Sequence, residues 1–355
     1  MNFIYQARPA RVIFGAGSLQ HLEREVLELG AQRALVLCTP EQRDLAQRIV
    51  ERLGARAAGL YDRATMHVPI EIARDAQAFA RSHEADCAIA IGGGSTIGLG
   101  KAIALESSLP ILAIPTTYAG SEMTPIYGLT EGGVKRTGSD ARVLPKTVIY
   151  DPELTVTLPV ELSVTSGINA IAHAAEGLYA SNANPVMSLI AEEGIRGLAR
   201  GLPGVRRNAA DPGARSDALY GAWLCGMVLG NVGMALHHKL CHTLGGSFNL
   251  PHAQTHTVVL PHALAYNAAH APDALQRIAR ALGTTDAAYG IHALARDNGA
   301  PVSLKAIGMQ EADLDRAADL AAANPYWNPR PIERDGLRAL LQDAFDGSPP
   351  RPAVR

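Results

Sequence analysis

Residues 91–101 read IGGGSTIGLGK, and they follow an apolar run, Asp86-Cys87-Ala88-Ile89-Ala90-Ile91. The run reads as a buried strand. Gly92, Gly93 and Gly94 let backbone N–H groups approach a ligand closely, and Ser95 is a natural N-cap for a helix beginning at Thr96. Strand, glycine loop and helix N-terminus together make a phosphate cradle. The spacing is not G-x-G-x-x-G, so the loop alone reads equally well as a tightly packed βα turn.

Working outward, apolar runs alternate with amphipathic stretches as far as residue 155: RVIFG, ALVLCT, CAIAIGGG and PILAIPTT against SLQHLEREVLEL, EQRDLAQRIVERL and STIGLGKAIALES. This alternation predicts a parallel α/β sheet with crossover helices, a Rossmann-like dinucleotide-binding domain over residues 1–155. The N-terminal MNFIYQARPARVIFG reads as two short strands and carries no signal-peptide pattern. A second strand end, Ile114-Pro115-Thr116-Thr117-Tyr118, brings hydroxyls to the same carboxyl edge, although strand-end capping alone would explain the threonines. The strand ALVLCT ends in Thr39-Pro40, where an NAD-selective protein would carry an acid for the ribose 2′-hydroxyl, so both NADH and NADPH are expected to bind.

Past Pro152 the pattern becomes helical, with segments such as ELSVTSGINAIAHAAEGLYA and VMSLIAEEGIRGLARGL, predicting an all-helical domain over 156–355. Ala218–Leu236 runs 19 residues without a charge and contains Gly226-x-x-x-Gly230. Its glycines and Asn231 dilute its hydrophobicity, and a buried core helix is expected rather than a membrane span. Of the 355 residues 47% are hydrophobic and 19% charged, and the net charge of −2 argues against a nucleic-acid-binding face. Cys38, Cys87, Cys225 and Cys241 lie apart in apolar surroundings, as reduced thiols of a cytoplasmic protein do.

Seven of the twelve histidines fall between residues 237 and 270. His238 and His242 share one helix face in HHKLCHTLGG, a helix that Gly245-Gly246 is expected to end; Asn169 and His173 repeat the i, i+4 spacing upstream. Two helices thus offer polar groups to one cavity, with His252 expected from the following loop. Any one of these histidines alone would read as core or surface filler; the paired spacing makes a metal or proton-transfer site. Lys239 points about 100° away from the His238–His242 face and reads equally as a solvated residue.

Taken together, GGGSTIGLGKAIA, IPTTYAGSEMTPIYG, VLPKTVIYDPELTVTLP, SGINAIAHAAEG, HHKLCHTLGGSFNLPHAQTHTVVLPHALAYN and NPRPIERDGLRALL resemble the maleylacetate reductases of the iron-containing alcohol dehydrogenase superfamily. The resemblance spans nearly the whole chain. It implies a homodimer of two-domain subunits with the active site in the cleft between the domains. The glycine loop and Ser95 would hold the NADH or NADPH pyrophosphate, with Thr116, Thr117 and Lys146 lining the cofactor cleft. Metal-using relatives bind iron or zinc through an aspartate and three histidines at the positions of Asn169, His173, His238 and His252. Asn169 replaces that aspartate, and Gly98 replaces an acid that many relatives place three residues after the glycine-loop serine. With neither carboxylate, no bound metal is expected.

The activity implied is reduction of the carbon–carbon double bond of a small dianion, maleylacetate or a chlorinated analogue, to the 3-oxoadipate level, in the breakdown of aromatic compounds. His173, His238, His242 and His252 are expected at the reacting end, with His242 as proton donor. Asn169, Lys239, Tyr118, Arg330 and the Gly120–Ser121 backbone are expected at the substrate, while Arg330 reads equally as a residue packed on Trp327. The rival activities are a metal-dependent alcohol dehydrogenase and a lyase like dehydroquinate synthase. No nucleic acid or membrane partner is expected.

Overall fold

A computed structural model describes residues 3, 5–6, 10–132, 134–323 and 326–351. They form two compact units, Ala7–Leu158 and Pro159–Arg355, the latter joined by the described residues up to Gln6. The first holds a parallel sheet of β1 (Arg11–Phe14), β2 (Ala34–Leu37), β3 (Ala57–Tyr61), β4 (Cys87–Gly92), β5 (Ile111–Pro115) and, after a hairpin, β8 (Thr147–Tyr150). The hairpin is β6 (Ile126–Glu131) and β7 (Val134–Ser139), and the sheet order is β1-β8-β5-β4-β2-β3. Helices α1 (Leu22–Glu28) and α2 (Arg43–Leu53) cover one face; α3 (Ile70–Ser82) and α4 (Gly94–Ser107) cover the other.

Those faces follow from strand alternation. Ala34 and Val36 pack with Leu22, Val26, Ala46 and Ile49, while Leu35 and Leu37 pack with Ala73, Ala76, Leu99 and Ile103. β2 and β4 are neighbours, yet the chain leaves β2 for one face and β4 for the other. That divergence opens a crevice at their carboxyl ends, the place where open α/β sheets take their ligands.

Two local expectations change. Helix α4 starts at Gly94 with Gly93 as its N-cap and no side chain capping it, so Ser95 lies inside the first turn. Of the two N-terminal strands only Arg11–Phe14 forms; the other expected strand falls partly outside the described residues.

The second unit is helical: α5 (Val160–Gly177), α6 (Pro185–Arg207), α7 (Pro212–Asn231), α8 (Leu236–Phe248), α9 (His252–Asn267), α10 (Pro272–Leu282), α11 (Ala287–Asp297), α12 (Leu314–Ala322) and α13 (Arg334–Asp346). Helix α8 runs past Gly245-Gly246 and ends at Asn249 in the left-handed region, and His252 opens α9 instead of lying in a loop. The charge-free stretch is buried α7 and the start of α8, joined by a 95° bend. Among the described residues no single helix is long and apolar enough to cross a membrane. All four cysteines are buried free thiols.

Helices α6 and α7 meet backbone to backbone. A Cβ at Gly201 would lie 2.5 Å from the Ala218 nitrogen, and one at Gly221 would lie 2.6 Å from the Leu198 nitrogen. Neither neighbour is a flexible side-chain end, so Gly201→Ala must push the helices apart. Such overpacking costs about 2–3 kcal/mol. We expect the urea midpoint of Gly201→Ala to fall accordingly, with an unchanged slope.

Candidate active site

In the α/β unit the crevice is built from three strand ends. Gly92 has φ +148°, and a Cβ there would sit 2.6 Å from both Gln42 Oε1 and Thr96 Oγ1. A Cβ at Gly93 would sit 2.9 Å from Thr117 Cγ2, whereas one at Gly94 meets nothing closer than 4.0 Å. The first two glycines are therefore demanded by close approach, and the third leaves the helix end open. The Thr116 N–H donates to the Gly92 carbonyl at 3.1 Å, and Gln42 Nε2 donates to Thr116 Oγ1 at 2.6 Å. Gln42 Oε1 and Thr96 Oγ1 are buried without a partner. Unpartnered polar atoms beside an uncapped helix N-terminus suit the phosphates and ribose of a dinucleotide.

Thr39 precedes the turn into α2. Its hydroxyl hydrogen-bonds Glu41 and holds that carboxyl below its ordinary range. The corner expected to lack an acid therefore has one, two residues later than the usual place. Gly98 also proves more than a missing charge. A Cβ there would meet Val68 Cγ2 at 2.9 Å, and Val68 (φ +46°) follows His67 (φ +67°), two consecutive left-handed residues. The strained turn is strapped down by Thr130, whose N–H donates to the Val68 carbonyl at 3.1 Å and whose hydroxyl donates to the His67 carbonyl at 2.8 Å. Val68 occupies the room that a side chain at position 98 would need.

In the helical unit Asn169, His173 and Glu176 lie at i, i+4 and i+7 on one face of α5, and all three are buried. Glu176 organises the rest. Its oxygens accept from the N–H groups of Ala235 (2.8 Å) and His237 (2.7 Å), the uncapped start of α8, and from His238 Nδ1 at 2.7 Å. With its Nδ1 proton committed, His238 presents the bare lone pair of Nε2, which is buried and unpartnered, as are Asn169 Oδ1 and His173 Nδ1.

The His173 and His238 ring centroids stand 5.1 Å apart, and His242 lies 6.3 Å from His238. The His252 ring lies 4.4 Å from that of His256 at a tilt of 56°, and His256 in turn hydrogen-bonds His237 at 2.9 Å, with Cys241 Sγ 3.6 Å from that His237 nitrogen. Burial first, and the neighbouring imidazoles second, push His173, His237 and His256 well below the ordinary histidine range. These rings stay neutral at physiological pH. His242 and His252 are exposed to solvent.

The expected residues divide accordingly. Asn169, His173, His238, His242 and His252 come together; Glu176, His237, Cys241 and His256 join them unforeseen. Gly92, Gly93, Gly94, Ser95, Thr116 and Thr117 gather with Gln42 at the sheet crevice. Lys146 does not. It is exposed and precedes β8, its N–H bonded to Ile111 at the start of β5, so it lies at the opposite edge of the sheet from the glycine loop. Tyr118 is fully buried and its ring is not offered to a substrate. Arg330 stacks 4.0 Å over Tyr266, not over Trp327, and lines a 570 Å³ cavity with His262 and His270 that none of the four expected catalytic histidines reaches. Lys239 sits 5.5 Å over the Tyr326 ring.

Residues 9–152 match the family described as iron-containing alcohol dehydrogenase, and residues 163–345 match the C-terminal region of the same family. A maleylacetate reductase of Burkholderia cepacia is 65% identical over 348 residues, covering 98% of this chain and 99% of its own. Among solved structures, the maleylacetate reductase of Agrobacterium tumefaciens superposes with a TM-score of 0.96 at 54% identity, over 99% and 100% of the two chains. An iron-containing alcohol dehydrogenase of Corynebacterium glutamicum gives 0.95 at 45% identity, over 100% and 99%.

Glu176→Gln tests the organising carboxylate. An amide turned to accept from the backbone must point its NH2 at another donor, leaving buried donors unpaired at about 1–3 kcal/mol each. Chemical denaturation is expected to show a loss of that size, and Glu176→Asp to restore part of it.

Proposed function

The chain belongs to the iron-containing alcohol dehydrogenase family, and from that premise we infer that it is an NAD(P)H-dependent oxidoreductase that reduces the carbon–carbon double bond of maleylacetate to give 3-oxoadipate. The observation that carries the reading is the neutral donor set of Asn169, His173 and His238, with three buried polar atoms unpartnered and no carboxylate free beside them. A dianion meets no fixed negative charge there except Glu176, which hydrogen bonds from α8 and His238 already enclose.

The same set fits resident iron poorly. Every donor is neutral, so nothing compensates a divalent charge in a buried place, and Glu176 is committed to His238 and the α8 backbone. We propose that the enzyme works without a bound metal. The other reading raised by the sequence, a metal-dependent alcohol dehydrogenase, lacks its carboxylate ligand and is not favoured.

When bound, NADH or NADPH supplies a hydride to the alkene carbon beta to the ketone. Electrons then move to the ketone oxygen as an enolate, and the carbon between takes a proton. The first need calls for an N–H: His238 Nε2 can only accept, so the donor to the oxygen is buried, neutral His173, in the tautomer that turns an N–H toward it. The second requires a group that reloads from water, and exposed His242 supplies it, next to His238. His252 lines the same cluster, and Asn169 and Lys239 orient the carboxylates.

On the α/β unit Gly92 to Ser95, Thr116, Thr117 and Thr39 hold the dinucleotide. Glu41 weighs toward NADH without a second acid to exclude NADPH. The family resemblance implies a homodimer, and the buried free thiols and small net negative charge fit a cytoplasmic protein with neither nucleic acid nor membrane as partner.

Two measurements test this reading. The purified protein is expected to oxidise NADH, and NADPH more slowly, with maleylacetate, at rates unchanged by EDTA and with no stoichiometric iron or zinc by elemental analysis. Dependence on added metal overturns the metal-free reading. His242→Ala is expected to lower kcat by ~10² or more with a smaller change in KM, the usual worth of a placed general acid; a variant retaining a tenth of the rate removes His242 from the role.

A further inference from the structure

Lys101 lies on α4, one turn past Gly98, and is fully buried. Its Nζ donates to the carbonyl oxygens of Ser121 and Ile126, each at 2.7 Å, to Thr124 Oγ1 at 2.9 Å and to Ser121 Oγ at 3.2 Å. Among the described residues no carboxylate forms an ion pair with it. Glu122, the buried acid on the same turn, accepts instead from the Tyr150 hydroxyl at 2.8 Å. Burying an ammonium costs several kcal/mol, and an apolar side chain of similar length would pack there without that penalty. The lysine must therefore be explained by what its acceptors have in common.

All four belong to residues 121–126, the end of the loop that begins at Thr116. The start of the loop is tied to the glycine loop and to Gln42. Between these anchors the chain turns through Gly120 at φ +82° and one short 3-10 turn. Polar anchors hold its two ends, with buried Tyr118 between them.

We propose that Lys101 is the positioning residue of the dinucleotide site, fastening Ser121–Ile126 onto α4 and so setting Thr116 and Thr117 against the glycine loop at the head of that same helix. The proposal rests on reading this unit as NAD(P)-binding. Burial brings Lys101 down to about 7, with Glu122 acting the other way; burial pushes Glu122 itself up, against the hydrogen bond it accepts from Tyr150. Charges on the other elements packed on α4 pair at the surface, as in Arg81–Glu106, Arg74–Glu131 and Arg142–Asp140. The ammonium, with three N–H groups, is thus present below about pH 7 and gives way to an amine above it. An amine has two, enough for the carbonyls only, and the Thr124 hydroxyl must then leave Ser121 to donate to it. The anchor loosens as pH rises.

The test is NADH binding alone, by fluorescence titration between about pH 6 and about pH 8.5, on wild type, Lys101→Met, Lys101→Arg and Thr124→Val. Wild-type affinity is expected to weaken about fivefold across that range, and Lys101→Met to bind about tenfold or more weakly at the acid end with a flat profile. Lys101→Arg, charged throughout, is also expected to be flat, and Thr124→Val to fall between. If Lys101→Met does not fold, the last two variants decide. Lys101→Met within twofold of wild type, or any lysine-lacking variant keeping the wild-type profile, overturns the proposal. A wild type that binds no dinucleotide at any pH instead overturns the reading of the unit.

Discussion

The helical unit depends on one buried carboxylate. Where α7 ends the chain turns through 95° and restarts at Leu236, and a helix begun that abruptly exposes N–H groups with no acceptor. Its N-cap, Ala235, has no side chain to offer. Glu176, some sixty residues earlier, provides both oxygens, and the partial positive charge of the helix start favours a carboxylate there at zero exposure. Because His238 takes a third bond from the same group, its tautomer is fixed by the act that starts its helix. The histidine chemistry and the local fold are one interaction.

A consequence is that the deep rings of the cluster stay neutral. Burial, with the crowded neighbouring imidazoles adding to it, holds His173, His237 and His256 well below the ordinary histidine range. Among the described rings of the cluster, His242 and His252 are the exposed ones. The proposed division between orienting rings and a proton-carrying ring follows depth, not residue type.

Much of this was legible in the sequence. The alternation before residue 155 gives the parallel sheet, and the i, i+4 pairs Asn169–His173 and His238–His242 give two helices with polar faces. Glu176 stood in plain view in HAAEG, but its partners are long-range backbone groups that no periodicity reveals. His256 and Cys241 were hidden for a similar reason: they lie beside the expected histidines on α8 and α9, and only packing shows that both turn toward His237. The strand Ala57–Tyr61 is short and rich in alanine and glycine, with weak strand propensity, and forms because β2 offers it an edge. Lys146 was misplaced because an apolar run does not say which end of its strand a flanking residue lies on; parallel pairing does.

The two missing acids turn out to have different physical causes. At Asn169 the change is electrostatic: the amide keeps the shape of a carboxylate and removes its charge, leaving an acceptor that is still buried and unpartnered. An aspartate there would stabilise a protonated His173 and draw a cation into the cluster, the opposite of what a dianion needs. At Gly98 the change is steric. Any side chain would displace Val68 from a turn already held in the left-handed region by Thr130. Restoring an acid at position 98 therefore requires first giving it room, whereas restoring one at 169 requires only charge, and Asn169 thereby keeps a second carboxylate, besides Glu176, out of the helical cluster.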